Sequence, residues 1–188
     1  RIMKTLFKLI IVKILQIEAR LVLRRHRPKI VAVAGSVGKT STKDAIYRVL
    51  SAGGISVRKS DKSYNSADFG VALTILGCQS AWNDPLGWLE IIIYGLTRLV
   101  SREPYPKWLV LEVGLEYPGE IKKVLRWLPV DMAVMTLLPE VPVHIEFFES
   151  REAVIQEKML VAKSVPLGGK VFLNADYKTM MEFLPELA

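Results

Sequence analysis

The hydrophobic pattern changes its period near residue 30. Over 1–25 (RIMKTLFKLIIVKILQIEARLVLRR), Lys or Arg interrupts apolar residues every four to seven positions, which predicts a helix with a wide apolar face and a basic stripe. From there the chain alternates short β-branched runs with helical periods. Strands are predicted at Lys29–Ala34 (KIVAVA), Ile55–Lys59, Trp108–Val113, Asp131–Thr136 and Lys170–Asn174. Helices are predicted at Lys39–Ala52, closed by Gly53-Gly54, at Phe69–Leu76, Leu86–Arg102, Ser150–Ser164, and at Pro118–Leu128, where proline opens the first turn. Ser60–Ala67 is polar and loop-like. Strands alternating with helices specify an α/β fold, a parallel sheet with helices on both faces, preceded by a basic amphipathic helix. We divide the chain into an N-terminal helix and linker, 1–28, and a nucleotide-binding body, 29–188.

Charge sharpens this division. The chain of 188 residues carries a formal net charge of +7, and residues 1–30 hold nine bases and one acid, Glu18. The remaining residues hold 17 bases and 18 acids. A nucleic-acid-binding domain carries its positive potential on the folded body, so no nucleic-acid partner is expected. The basic segment has no uncharged run near the roughly 20 residues that span a bilayer, and no small-residue cleavage site. Two roles fit it: a helix packed on the domain, or a helix lying on an anionic membrane surface through residues 1–27. The greasy run Leu86–Val100 is a further apolar patch for a membrane or partner. A single cysteine, Cys78, excludes an internal disulfide and any cysteine-cluster metal site, which fits a reducing compartment. His26, among arginines, reads as a surface residue.

The strongest chemical signal is Val31–Thr42, VAVAGSVGKTST. A hydrophobic strand runs into Gly35, Ser36, Val37, Gly38, Lys39 and Thr40, and a helix follows through Ser41. Glycines permit the tight turn that brings backbone N–H groups to phosphate oxygens, and the helix N-terminus faces the same anion. Lys39 supplies charge to the outer phosphates, and the Thr40 hydroxyl suits a Mg²⁺ shell. The spacing is G-x-x-G-K-T, shorter than G-x-x-x-x-G-K-[ST]. A nucleoside triphosphate is expected; the loop alone does not separate kinase, GTPase and ligase.

The loop with its trailing Ser41-Thr42 resembles the Mur ligase family, ATP-dependent enzymes that join amino acids to a carboxylate in cell-wall synthesis. The likeness continues in order. Trp108–Ile121 (WLVLEVGLEYPGEI) is similar to the E-x-G…P-G-E-I segment of the family's D-alanyl-D-alanine-adding branch. His144–Ser150 (HIEFFES) is similar to its histidine loop, with Lys158 eight residues on, where the family keeps a modified lysine. Lys170–Asp176 (KVFLNAD) matches its Asn-Ala-Asp strand, and Asn65 and Ser66 resemble its Asn-rich loop. Departures are Ala72 for the usual proline, and Leu137-Leu138-Pro139, with two extra residues before His144, where the family has Asn-Ile-Gly.

The resemblance implies a site. Glu112, at the end of an apolar strand where a carboxylate is costly unless paired, would hold Mg²⁺ with Thr40. His144 and Lys158 would serve a second metal, with Lys158 carbamylated by CO₂; on its residues alone, Lys158 reads as part of a solvated helix face. Lys39, Lys158 and His144 are the implied catalytic set, and Asn65, Asn174 and Asp176 are implied nucleotide contacts. The expected activity is a cytoplasmic ATP-dependent amide-bond ligase of peptidoglycan precursor synthesis, proceeding through an acyl phosphate. Its partners would be ATP, a peptide-type carboxylate substrate and an amine, with peripheral attachment at the inner membrane face. Alternatives are a Mur-type ligase of the folate, cyanophycin or poly-γ-glutamate kind, a P-loop kinase or GTPase, and a silent ATP-binding scaffold at the membrane. Family members flank this domain with others, so the chain reads as the central part of a longer protein.

Overall fold

The computed structural model describes residues 2–61, 67–82, 84–139 and 144–187. Its sheet has five strands in the order β2-β3-β1-β4-β5: β1 Lys29–Ala34, β2 Val57–Lys59, β3 Trp108–Glu112, β4 Met132–Met135 and β5 Lys170–Phe172. Every pairing is parallel, as the strand–helix alternation predicts. β1 lies in the middle, with Val33 opposite Glu112 on one side and Ala34 opposite Met135 on the other. Its residues are buried after Lys29, which is why its sequence is continuously apolar.

The two faces are covered unequally. Val31, Val33 and Val110 pack under α2 (Lys39–Ala52) through Ile46 and Leu50. The alternate residues Ile30, Ala32, Leu109 and Leu111 join a larger core with α3 (Ala67–Leu76), α5 (Glu120–Leu125) and α6 (Arg151–Lys163). Two helices form an outer layer on this side: α1 (Ile2–His26) packs on α3, and α4 (Pro85–Val100) packs against α1. α1 sends Leu15, Ala19 and Val22 into the main core, so one face of the basic segment packs on the domain, while Ile10, Ile17 and Leu21 stay exposed. No described helix is long and apolar enough to cross a membrane.

Several element ends differ from the sequence reading for local reasons. α5 starts at Glu120 rather than Pro118, because Gly119 takes a left-handed backbone (φ +84°) that a helix cannot continue through. α4 starts at Pro85, where the Asp84 side chain accepts from Leu86 N–H at 3.0 Å. Short helices at Lys178–Met181 (α7) and the 3₁₀ turns Ile145–Phe147 and Leu184–Glu186 were too brief for the period to register. His26 is not a plain surface residue: its ring stacks on Tyr105 with centroids 4.5 Å apart.

Candidate functional site

The loop from Gly35 to Thr40 leaves the carboxyl end of β1, the central strand, and enters α2. Gly35 is required twice over. Its φ is +138°, and a Cβ there would fall 2.1 Å from Thr136 Oγ1. The next two residues are tied to β4's continuation. Ser36 N–H donates to the Leu137 carbonyl at 2.8 Å and Val37 N–H to the same oxygen at 3.4 Å. These two N–H groups are therefore already engaged, which narrows the expected cradle to the groups that follow. Gly38, left-handed, is the N-cap of α2 and supplies no side chain, so the helix's first-turn N–H groups are uncapped. Ser41 is exposed in that first turn.

Two lysines converge on Ser36. Lys39 Nζ donates to the Ser36 carbonyl at 3.0 Å, and Lys158 Nζ donates to Ser36 Oγ at 2.7 Å. Lys158 is only 3% exposed, which corrects its reading as part of a solvated helix face. The reason lies in α6, where Val154, Ile155, Lys158, Met159 and Ala162 share the buried face. Burial, reinforced by the neighbouring Lys39 charge, pushes the Lys158 ammonium down to about 8. Burial also lowers Lys39, with Glu112 opposing.

Glu112 ends β3 beside the loop. The Thr40 hydroxyl donates to its Oε2 at 3.0 Å, and its own N–H donates to Ser60 Oγ at 3.0 Å. Lys43, fully buried, lies 3.5 Å from the same Oε2 and 3.8 Å from Asp44 Oδ1, and makes no hydrogen bond among the described residues. Sequence reading missed Lys43, yet the signal exists: it stands three and seven residues before Ile46 and Leu50, on the stripe of α2 that faces the sheet. It also missed Glu157, whose carboxylate accepts from Gly119 N–H at 2.7 Å and Ile121 N–H at 3.1 Å, fixing the Pro118–Ile121 segment.

The donor set at Thr40 and Glu112 is one hydroxyl and one carboxylate, which suits Mg²⁺ when phosphate oxygens and water complete its octahedron. Among the described residues no group of three or more His, Cys, Asp or Glu is placed to hold a metal ion. His144, left-handed at φ +71°, caps the 3₁₀ turn, and Lys158 bonds Ser36 rather than His144. Asn174 and Asp176 lie exposed in the turn after β5, joined by a 3.1 Å bond from Asp176 N–H to Asn174 Oδ1. They share the sheet's carboxyl edge with the loop but stand two strands away, roughly 10 Å by strand spacing. Asn65 and Ser66 lie outside the described residues.

A central parallel strand, a short glycine loop closed by Lys39-Thr40, and an acid on the adjacent strand define a P-loop nucleotide-binding α/β domain. Residues 33–187 match the profile of the Mur ligase middle domain, and the chain belongs to this family. It is 26% identical over 165 residues to the UDP-N-acetylmuramoyl-tripeptide–D-alanyl-D-alanine ligase of Rickettsia prowazekii, covering 86% of this chain and 30% of that protein. The Mycobacterium tuberculosis (strain H37Rv) ligase of the same name is 29% identical over 147 residues, covering 78% and 23%. The crystal structure of MurF ligase from Thermotoga maritima in complex with ADP superposes with a TM-score of 0.67 at 26% identity, over 94% of this chain and 34% of that one. The chain thus spans about a third or less of the relatives it matches.

Proposed function

We propose that this chain is the ATP-binding domain of a ligase that forms an amide bond in peptidoglycan precursor synthesis, of the kind that adds D-alanyl-D-alanine. The observation that carries the reading is the convergence of Lys39 and Lys158 on Ser36 beside the Thr40–Glu112 pair, at the end of the central strand. The likeness to ligases of that name supports the substrate class.

In this reading the γ-phosphoryl group of ATP passes to a substrate carboxylate oxygen, releasing ADP and leaving an acyl phosphate. An amine then attacks the carbonyl carbon, loses a proton, and displaces phosphate. Lys39 and the first-turn N–H groups of α2 orient and neutralise the phosphates, which is most of what phosphoryl transfer asks of a protein. Thr40 and Glu112 would hold Mg²⁺, which supplies further charge neutralisation. Lys158 would be carbamylated: its buried position beside Lys39 favours the free amine, the form that attacks CO₂. His144, Asn174 and Asp176 belong to the proposal as expected contacts of metal and nucleotide.

The same reading sets α1 against an anionic membrane surface. Its exposed stripe alternates Ile10, Ile17 and Leu21 with Lys13, Arg20 and Arg24, and its one acid, Glu18, is buried. The neighbouring α4 exposes Leu86, Leu89, Ile93, Leu96 and Val100 at one-face helical spacing. Vesicle sedimentation with and without phosphatidylglycerol checks this, with Ile17→Glu expected to reduce binding.

The decisive test is Lys39→Ala. ATP affinity of the chain by calorimetry and ligation by the complete enzyme are both expected to fall, ligation by about 10²–10³-fold, the scale of losing one preorganised donor. Unchanged ligation would overturn the assignment.

A further inference from the structure

At the opposite end of the sheet from the nucleotide loop lies a cleft of about 600 Å³. The six residues of β1 separate the two, roughly 20 Å at strand rise. One wall is the end of α1, which contributes Arg20, Arg24 and Arg27; the other is the turn after α5, with Arg126 and Trp127. The helical repeat puts Arg20, Arg24 and Arg27 on one side of α1, and Arg27 ends the helix with a left-handed backbone (φ +47°), so that Pro28 can lead into β1.

The charge in this cleft is unbalanced. Lys29 also lines it, and Asp131 is the one acid among its described lining residues. Asp131 is already spent: it accepts from Lys29 Nζ at 2.9 Å and from Ile30 N–H at 2.8 Å. Arg20, Arg24, Arg27 and Arg126 form no ion pair among the described residues. The indole N–H of Trp127 likewise has no acceptor among the described residues. Four unpaired guanidinium groups around one concavity repel one another unless an anion sits between them, and their planar forks match the oxygens of phosphate.

We propose that this cleft binds a phosphate group, as a soluble phosphate ester or as the headgroup of an anionic lipid, separately from the nucleotide site. The inference does not rest on the ligase reading, since it uses no residue of that site.

Pyrophosphate and vesicles of phosphatidylcholine with or without phosphatidylglycerol are the two probes, read by the fluorescence of Trp127 against a Trp127→Phe reference. The full chain carries Lys39→Ala, so that the nucleotide loop does not compete. Saturable binding of either probe is expected, and Arg24→Glu with Arg126→Glu should weaken it at least tenfold. Lys122→Glu with Lys123→Glu makes the same change in net charge on exposed α5 positions outside the cleft, and should stay within twofold. Arg24→Gln with Arg126→Gln gives the same loss without new negative charge. Binding of pyrophosphate in solution identifies a soluble ester. Binding only to phosphatidylglycerol vesicles, weakened by Arg126→Glu alone (a cleft residue outside the α1 stripe), identifies a lipid headgroup. Ile17→Glu separates the cleft from apolar membrane contact, since it leaves pyrophosphate binding intact. No saturable binding of either probe, or equal loss in the two charge-reversed pairs, would overturn the proposal.

Discussion

At the carboxyl edge of the sheet, Glu112 meets the Thr40 hydroxyl and the Lys43 ammonium, at the end of a strand that Ser60 anchors. In the outer helical layer, Glu18 meets the bare backbone of Gly95 and, among the described residues, no hydrogen-bond donor. Both carboxylates have little exposed surface: Glu18 is buried, and the Glu112 side chain is 15% exposed. One is held by opposite charge and a hydroxyl. The other is left to change its protonation, and burial pushes it up to about 7. Arg98, three residues on from Gly95 in α4, donates to Glu103 at 2.8 Å. Buried charge in this chain is therefore built into a network where phosphate chemistry is expected, and merely tolerated where two helices cross.

Glu112→Ala should break the network most severely. It leaves the Lys43 ammonium, with no exposed surface, only the 3.8 Å contact to Asp44, which Lys59 also engages at 2.7 Å, and is expected to cost about 3 kcal/mol in urea unfolding at pH 7. Glu112→Ala with Lys43→Met should recover most of that loss; no recovery would mean that the pair is not what holds this edge together.

The contrast sharpens with pH, because two buried groups shift in opposite directions. Glu18 titrates near 7 folded and near 4.5 unfolded, so its ionised form penalises folding as pH rises from 4.5 past 7. Glu18→Gln should stabilise by about 1–3 kcal/mol at pH 8, the gain fading by pH 5. Lys158 titrates near 8 folded and near 10.5 unfolded, so its penalty is full below 8 and fades as pH rises to 10.5. Lys158→Met should therefore stabilise the ligand-free chain at pH 7 and lose that advantage by pH 10. Thermal melts across pH 5–10 would show the two opposite slopes; parallel slopes would refute the comparison.

The smallest effect belongs to the outer layer's local anchoring. Asp84→Ala removes the N-cap of α4 and should cost about 1 kcal/mol by denaturant midpoint, with ATP affinity unchanged. A loss of affinity would show that this layer reaches the nucleotide edge after all.

What the residues disclosed in advance follows from how local each signal is. β1, the loop and α2 were legible because strand, glycine turn and helix are contiguous, and each has its own pattern. Thr40 facing Glu112 was reachable through resemblance, since the two stand far apart in the chain. Lys158 was misread as solvated although its spacing from Val154 and Ile155 put it on the buried stripe; its charge outweighed its position. The role of Leu137 was out of reach, because it acts through a carbonyl that every residue type possesses. The stacking of His26 on Tyr105 depends on two segments that only the tertiary fold joins.

The Arg25 guanidinium donates to the Leu99 carbonyl and, at 2.9 Å, to that of Ser101. With Glu18 set against Gly95 further back, this means that α1 and α4 point the same way and finish side by side. Two helices so aligned bring the negative poles of their dipoles together, an arrangement that disfavours itself unless a cation is set there. Arg25 is that cation, and its fork engages two carbonyls at once. A lysine in its place would carry the charge but bind as a single point, leaving the pair clasped at one carbonyl and free to pivot about it.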